Sequence, residues 1–305
     1  MMMDSLEKSA IANLLSDEKL KLVKLDEQEY MEGQIAFRSQ QNEQEMMLEA
    51  TFQTIKKYKS SQENYSILSI GCGSGLFEKP FLTELLELNK SIHFVGVDSN
   101  KLGCIKIKEW CQELSKFKVD KFRYQIHPVE FEKFESSPTF DIILLIHSFY
   151  YFSEIESSFQ KIYELLGEEG IVIIAIAVKT ELKEPSYYVN QRLDQKQTVW
   201  SHDLYQFFSE HHISFHKEVI NSSVNIAQCF QKDSQLGRHL LDFIVSAKTR
   251  YFSPSQLKVL LDYLSSNSKE LEDGKIMIPS SVSLYYFQKK KKKEEEVKKG
   301  TREKL

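Results

Sequence analysis

Ser66-Ile67-Leu68-Ser69-Ile70 runs directly into Gly71-Cys72-Gly73-Ser74-Gly75, and further along Phe94-Val95-Gly96-Val97 closes on Asp98. An apolar strand feeding alternating glycines, followed by a second apolar strand ending on a carboxylate, describes one end of a nucleotide-binding α/β sheet. A tight strand-to-helix turn needs backbone angles that a Cβ forbids, and a ligand touches backbone only where no side chain intervenes. Asp98, at the carboxyl end of the next strand, is placed to accept hydrogen bonds from two ribose hydroxyls. That geometry suits any adenosine. The pyrophosphate fingerprint G-x-G-x-x-G would put its last glycine where this chain has Leu76, and no Gly-Lys-Ser/Thr follows for a P-loop. An adenosine without a diphosphate points to S-adenosylmethionine, bound by Gly71, Gly73, Gly75 and Asp98. The competing interpretation is a glycine turn in an unrelated α/β protein.

The rest of the first half alternates strand and helix. Apolar positions at helical spacing predict a helix over 40–58, after a polar amino-terminal arm holding Tyr30 and Phe37. Strands are expected at 67–70, 92–98, 122–126, 141–146 and 171–177, with helices after Gly75, over 100–115 and over 155–166. The run Asp141-Ile142-Ile143-Leu144-Leu145-Ile146 is continuously apolar, as a strand covered on both faces must be, and it breaks into His147-Ser148-Phe149-Tyr150-Tyr151. Beyond residue 180, helices are expected at 183–194, 202–210, 234–247 and 254–267, and strands at 213–219, 224–229 and 281–287. The last strands would extend the sheet as a hairpin-like edge. The expected fold is α/β, a doubly wound and mainly parallel sheet with a helical substrate cap and antiparallel edge strands. Its divisions are an arm and helix (1–60), a cofactor-binding core (61–180), a cap with sheet-completing strands (181–288), and a Lys/Glu tail (289–305) that buries nothing.

Composition narrows the function classes. At 305 residues, 41% hydrophobic and with a formal net charge of -4, the chain fits a globular cytoplasmic protein and gives no reason to expect nucleic acid as partner. The stretch from Met1 to Ala10 has no apolar run, and nothing reaches the roughly 18 apolar residues that span a bilayer, so no leader, anchor or membrane partner is expected. Cys72, Cys104, Cys111 and Cys229 show no C-x-x-C and no histidine at ligand spacing, so buried thiols are expected and no metal.

The chain resembles the histamine N-methyltransferase family over nearly its whole length. The matching blocks are Tyr30-Met31-Glu32, Asn42-Glu43-Gln44, Ile67 to Gly71, Tyr150-Tyr151, Leu165-Leu166-Gly167, Ser222 to Phe230, Leu241-Asp242-Phe243 and Ser283-Leu284. The resemblance implies a Rossmann-like class I methyltransferase, monomeric and cytoplasmic, that uses S-adenosylmethionine to methylate an imidazole nitrogen of histamine. It implies cofactor contacts at Gly71, Asp98 and Ile146, a substrate-binding acid at Glu43, and an aromatic wall at Tyr30 and Tyr151. The alternative for Glu43 is a solvated carboxylate on a helix face.

Two positions depart from the family. His147 stands where the family has a glutamine, and Ser280 where it has an asparagine; both contact substrate there. Val129 occupies the place of a cofactor-contacting serine. His147, at the carboxyl end of the fourth strand, is a candidate to take a proton or hydrogen-bond a substrate ring, or else simply caps the strand. Tyr150, Tyr151, Tyr187 and Tyr188 are candidates for a cation-favouring wall, Tyr151 first among them. Two other readings stay open: a methyltransferase for a different amine, amino acid or hydroxyl, and a catalytically silent cofactor-binding protein. Nucleic-acid methylation is disfavoured, because no Asp/Asn-Pro-Pro-aromatic run ends the fourth strand.

Overall fold

The computed structural model describes residues 10–59, 61–136, 138–152, 154–193 and 199–289. The amino-terminal stretch 1–9 and the expected Lys/Glu tail after Lys289 lie outside these residues. The elements run α1 (Ala10–Ser16), α2 (Glu27–Ser39), α3 (Glu43–Lys59), β1 (Asn64–Ile70), α4 (Glu78–Glu87), β2 (Ser91–Val97), α5 (Lys101–Phe117), β3 (Phe122–His127), β4 (Phe140–Ile146), α6 (Ile155–Leu165) and β5 (Leu166–Ala177). They continue with α7 (Glu184–Leu193), α8 (Ser201–Glu210), β6 (His216–Ile220), β7 (Ser223–Asn225), α9 (Gln235–Val245), α10 (Pro254–Ser266), β8 (Lys269–Glu270), β9 (Ile276–Pro279) and β10 (Val282–Gln288). The chain divides into two compact units, one of residues 1–47, 177–204 and 219–283, the other of 48–176, 205–218 and 284–305.

The second unit is built on a seven-stranded sheet ordered β3-β2-β1-β4-β5-β10-β6. The first five of these run parallel to one another, with Ile67 opposite Phe94 and Ile142, and Ile146 opposite Ala175. Ile142 to Leu145 and Ile171 to Ile176 are wholly buried, as strands covered on both faces require. Each such side chain contributes about 1.5–3 kcal/mol of burial. The strand order runs outward from β1 through β2 to β3 and then returns to β4 on the other side of β1. That reversal opens a crevice at the carboxyl ends of β1 and β4, where doubly wound sheets bind their ligands. Gly71 follows β1 and His147 follows β4, so both sit at this switch point. Pro80 falls within the first turn of α4, where its missing N–H costs nothing.

The first unit departs from expectation in two places. The amino-terminal arm is not an arm but two helices. Ile11, Leu15, Leu20, Ala36 and Phe37 pack into one cluster with Val189, Leu240, Leu241, Ile244 and Leu260. Asp26 caps α2 through a reciprocal box with Glu29. Glu29 also pairs with Lys248 at 2.5 Å and with Arg250 at 2.9 Å. Burial raises its carboxyl pKa, but Lys248, Asp26 and Arg250 reverse this and hold it at about 2. The second departure is the strand expected at 224–229. Only Ser223–Asn225 is extended, and it pairs not with the large sheet but with β9, in a separate three-stranded antiparallel sheet ordered β7-β9-β8. From Ala227 to Phe230 the chain turns into a short 3-10 helix.

Candidate active site

The glycine turn is held open by its own backbone. Gly71, Gly73 and Gly75 adopt φ of 77°, 50° and 79°, a region that side chains with a Cβ rarely enter. A Cβ on Gly71 would collide with the Cβ of Ser148, whose Oγ donates to the Ile70 carbonyl at 2.6 Å and so fastens the ends of β1 and β4 together. A Cβ on Gly103, in the first turn of α5, would stand 2.9 Å from the Gly73 backbone. Asp98 organises what lies between: Oδ2 accepts the Gly73 N–H and Oδ1 the Asn100 N–H, each at 2.7 Å. Asn100 in turn caps α5 by accepting the Gly103 N–H.

These residues fit an adenosyl ligand. A carboxylate oxygen accepts more than one hydrogen bond, so Asp98 holds the turn and still has lone pairs to offer a ligand hydroxyl. The Ser74 Oγ, inside the turn, is buried without a hydrogen-bond partner among the described residues, which fits a polar atom that a ligand or water satisfies. Sequence reasoning used Ser74 only as a spacer. Ile146 is buried at the end of β4, immediately before the switch-point histidine. Val129 is 36% exposed. All four cysteines are buried thiols outside any disulfide. Burial pushes the Cys111 thiol up to about 12, which marks it as packing.

His147 is one of few residues other than glycine at positive φ, 54°. Its backbone N–H donates to Ala175 at 2.9 Å, and its Nδ1 lies 2.9 Å from the Tyr150 hydroxyl, with the two rings stacked at 6.2 Å. A left-handed conformation costs energy that the surroundings must supply, and such residues concentrate at ligand sites. Tyr151, the preferred wall residue, is 62% exposed and meets the Tyr150 ring edge-on. It is Tyr150 that touches His147.

In the first unit, Glu43 opens α3 and is only 3% exposed, so it is not the solvated helix-face carboxylate that the sequence allowed. Its Oε1 is 3.3 Å from Arg38 Nη1, and its Oε2 accepts the Ser222 hydroxyl at 3.3 Å. The same single hydroxyl proton is shared with the Ser280 carbonyl, and the Ser222 backbone carbonyl accepts the Ser280 N–H. Glu43 and Ser280, far apart in sequence, are thus brought together through Ser222, which sequence reasoning had noted only as part of a matching block. Tyr30 packs against Phe243 at 5.6 Å. Tyr187 meets Tyr188 edge-on and lies tilted against Trp200.

Residues 61–301 match the family profile described as a methyltransferase domain. The chain belongs to that family. It is 23% identical over 279 residues to the histamine N-methyltransferase of Bos taurus, across 85% of this chain and 94% of that protein. To the Rattus norvegicus histamine N-methyltransferase it is 24% identical over 249 residues, 75% of this chain and 83% of the relative. Among solved structures, the YcgJ protein of Bacillus subtilis matches with a TM-score of 0.52 at 16% identity, covering 78% of this chain and 97% of that one, a likeness of fold.

The glycine turn with Asp98, in a methyltransferase domain, makes this an S-adenosylmethionine-dependent methyltransferase. Its sheet is the Rossmann-like class I arrangement. Among the described residues no helix is long and apolar enough to cross a membrane.

Proposed function

We propose that this methyltransferase acts as a cytoplasmic monomer on a nitrogen of a small amine, the imidazole nitrogen of histamine or of a histamine-like compound. The observation that carries the reading is Glu43: a carboxylate buried to 3%, held by Arg38 and Ser222, in a chain similar to histamine N-methyltransferases along most of its length. Burying a carboxylate is costly, and a chain keeps one only where charged partners compensate it.

Bound S-adenosylmethionine supplies an activated methyl: the N–C bond forms as the C–S bond breaks, and the electron pair stays on sulfur. The protein's task is orientation in a dry site, because an in-line displacement needs little else. Glu43 pairs with the acceptor's ammonium and fixes its far end. A neutral imidazole already offers a lone pair, so no strong base is required. His147, its Nδ1 engaged by Tyr150, hydrogen-bonds the acceptor ring. Asp98, the three glycines and Ile146 hold the donor, while Tyr30, Tyr151 and Ser280 belong to the acceptor side.

Glu43→Gln tests the assignment. It is expected to weaken acceptor binding by about tenfold or more, the worth of a charged hydrogen bond of about 1.5–3 kcal/mol, and to leave cofactor affinity within about threefold. Calorimetric titration with each ligand separates the two. Equal losses in both would make Glu43 a structural residue.

A further inference from the structure

Glu43 does not face its ligand alone. Arg38, 13% exposed at its side chain, lies within ion-pair distance of it. Lys183 is half-buried in the same field: burial lowers its ammonium pKa, Glu43 opposes that shift and Arg38 reinforces it. One cation is thus paired with the carboxylate and a second feels its charge. A simple ammonium would bring a third positive charge into this partly desolvated cluster, where like charges repel more strongly than in water.

A second observation points the same way. Gln41, in the turn between α2 and α3, forms an antiparallel bridge with Val224. Glu43 meets Ser222 in the same register, and β9 continues both rows, with Ser280 on Ser222 and Ile278 opposite Val224. Gln41 thus stands two rungs from Glu43 along this row. Its Nε2 and Oε1 are both buried and neither has a hydrogen-bond partner among the described residues. Native proteins leave few such groups, and a primary amide with both ends unmet calls for a ligand that brings an acceptor and a donor together.

We propose that the acceptor presents a zwitterionic head, an amine and a carboxylate on one carbon as in an α-amino acid. Its ammonium pairs with Glu43 and its carboxylate with Arg38. The Gln41 amide completes the site, Oε1 accepting from the ammonium and Nε2 donating to the carboxylate. Such a head adds no net charge to the cluster. The proposal rests on the reading of Glu43 as the amine anchor and makes Arg38 and Gln41 its specificity determinants.

The test is calorimetric titration of the full chain, saturated with S-adenosylhomocysteine, with free histidine, histamine and imidazolepropionate. Histidine should bind about tenfold or more tightly than either of the others, the value of one charged hydrogen bond. Arg38→Gln should erase that preference by weakening histidine about tenfold, with histamine unchanged or tighter. Because Arg38→Gln also strips Glu43 of its counter-ion, Gln41→Leu serves as an independent variant. It removes the unmet amide without touching the ion pair, and should weaken histidine while leaving the melting temperature unchanged or higher. Tighter binding of histamine than of histidine by the wild type, or equal losses for both in the variants, would overturn the zwitterion proposal and leave the amine reading standing. Failure of all three compounds to bind, with S-adenosylhomocysteine bound, would overturn the amine reading and the proposal with it.

Discussion

Replacing Asp98 with alanine is expected to weaken S-adenosylmethionine binding by about 100-fold or more and to leave acceptor binding within about threefold. The carboxylate is asked to receive two ribose hydroxyls, each charged hydrogen bond worth about 1.5–3 kcal/mol, and every 1.4 kcal/mol is a decade of affinity. It also holds the turn itself, through the Gly73 and Asn100 N–H groups at 2.7 Å, so its loss releases the loop that presents the backbone to the ligand. Titration of wild type and Asp98→Ala with the cofactor reads the effect directly. Asp98→Asn, which keeps one acceptor oxygen, should fall between them. A cofactor affinity unchanged within threefold in Asp98→Ala would place the adenosine elsewhere.

Gly71→Ala is expected to lower the stability of the folded chain by about 2–5 kcal/mol. A φ of 77° costs an alanine about 1–2 kcal/mol, and the new methyl must displace Ser148 from a packed strand end, for about 1–3 kcal/mol more. Against a typical total of about 5–15 kcal/mol this is a large fraction. Urea unfolding gives the number, and two comparisons divide it. Ser148→Gly in the Gly71→Ala background should recover the steric part and none of the dihedral part. Gly73→Ala has comparable handedness, but its Cβ would find only the Asp98 Oδ2, at 4.0 Å, so it should cost no more than the dihedral term. Equal costs for Gly71→Ala and Gly73→Ala would show that contact with Ser148 is unimportant.

The glycine turn and the parallel strands were legible because their physics is local. Alternating glycines demand positive φ, and continuous apolar runs such as Ile142 to Leu145 fit only strands buried on both faces. The amino-terminal helices were not read. α1 is only seven residues long, and α2, in which polar residues outnumber apolar ones, is stabilised by packing on α9 through Tyr30, Phe37 and Phe243. One signal was available and passed over, the Asp26-x-x-Glu29 capping box. The small sheet had one as well: Asp273-Gly274, with Gly274 at φ 81°, is a hairpin turn between β8 and β9.

The acceptor side was harder for a different reason. Nothing local ties Glu43 to Ser222, which lies 179 residues away, or shows that Arg38 turns back to neutralise it. The resemblance supplied Glu43 and Ser280 as separate positions, whereas the fold joins them through Ser222 and bridges Gln41 to the same strand. The left-handed backbone of His147 and its engagement by Tyr150 rather than Tyr151 are likewise products of tertiary structure.

The central claim is that a small amine, recognised through Glu43, receives the methyl group on nitrogen. Incubation of the full chain with S-adenosylmethionine labelled in its methyl group and a panel of imidazole amines, aryl amines, amino acids and hydroxyl compounds tests it most directly. The account predicts label on a ring nitrogen of an imidazole amine, and its loss in Glu43→Gln at acceptor concentrations that saturate the wild type. Label on a hydroxyl compound alone, or no labelled product from any imidazole or aryl amine despite measurable cofactor binding, would contradict it.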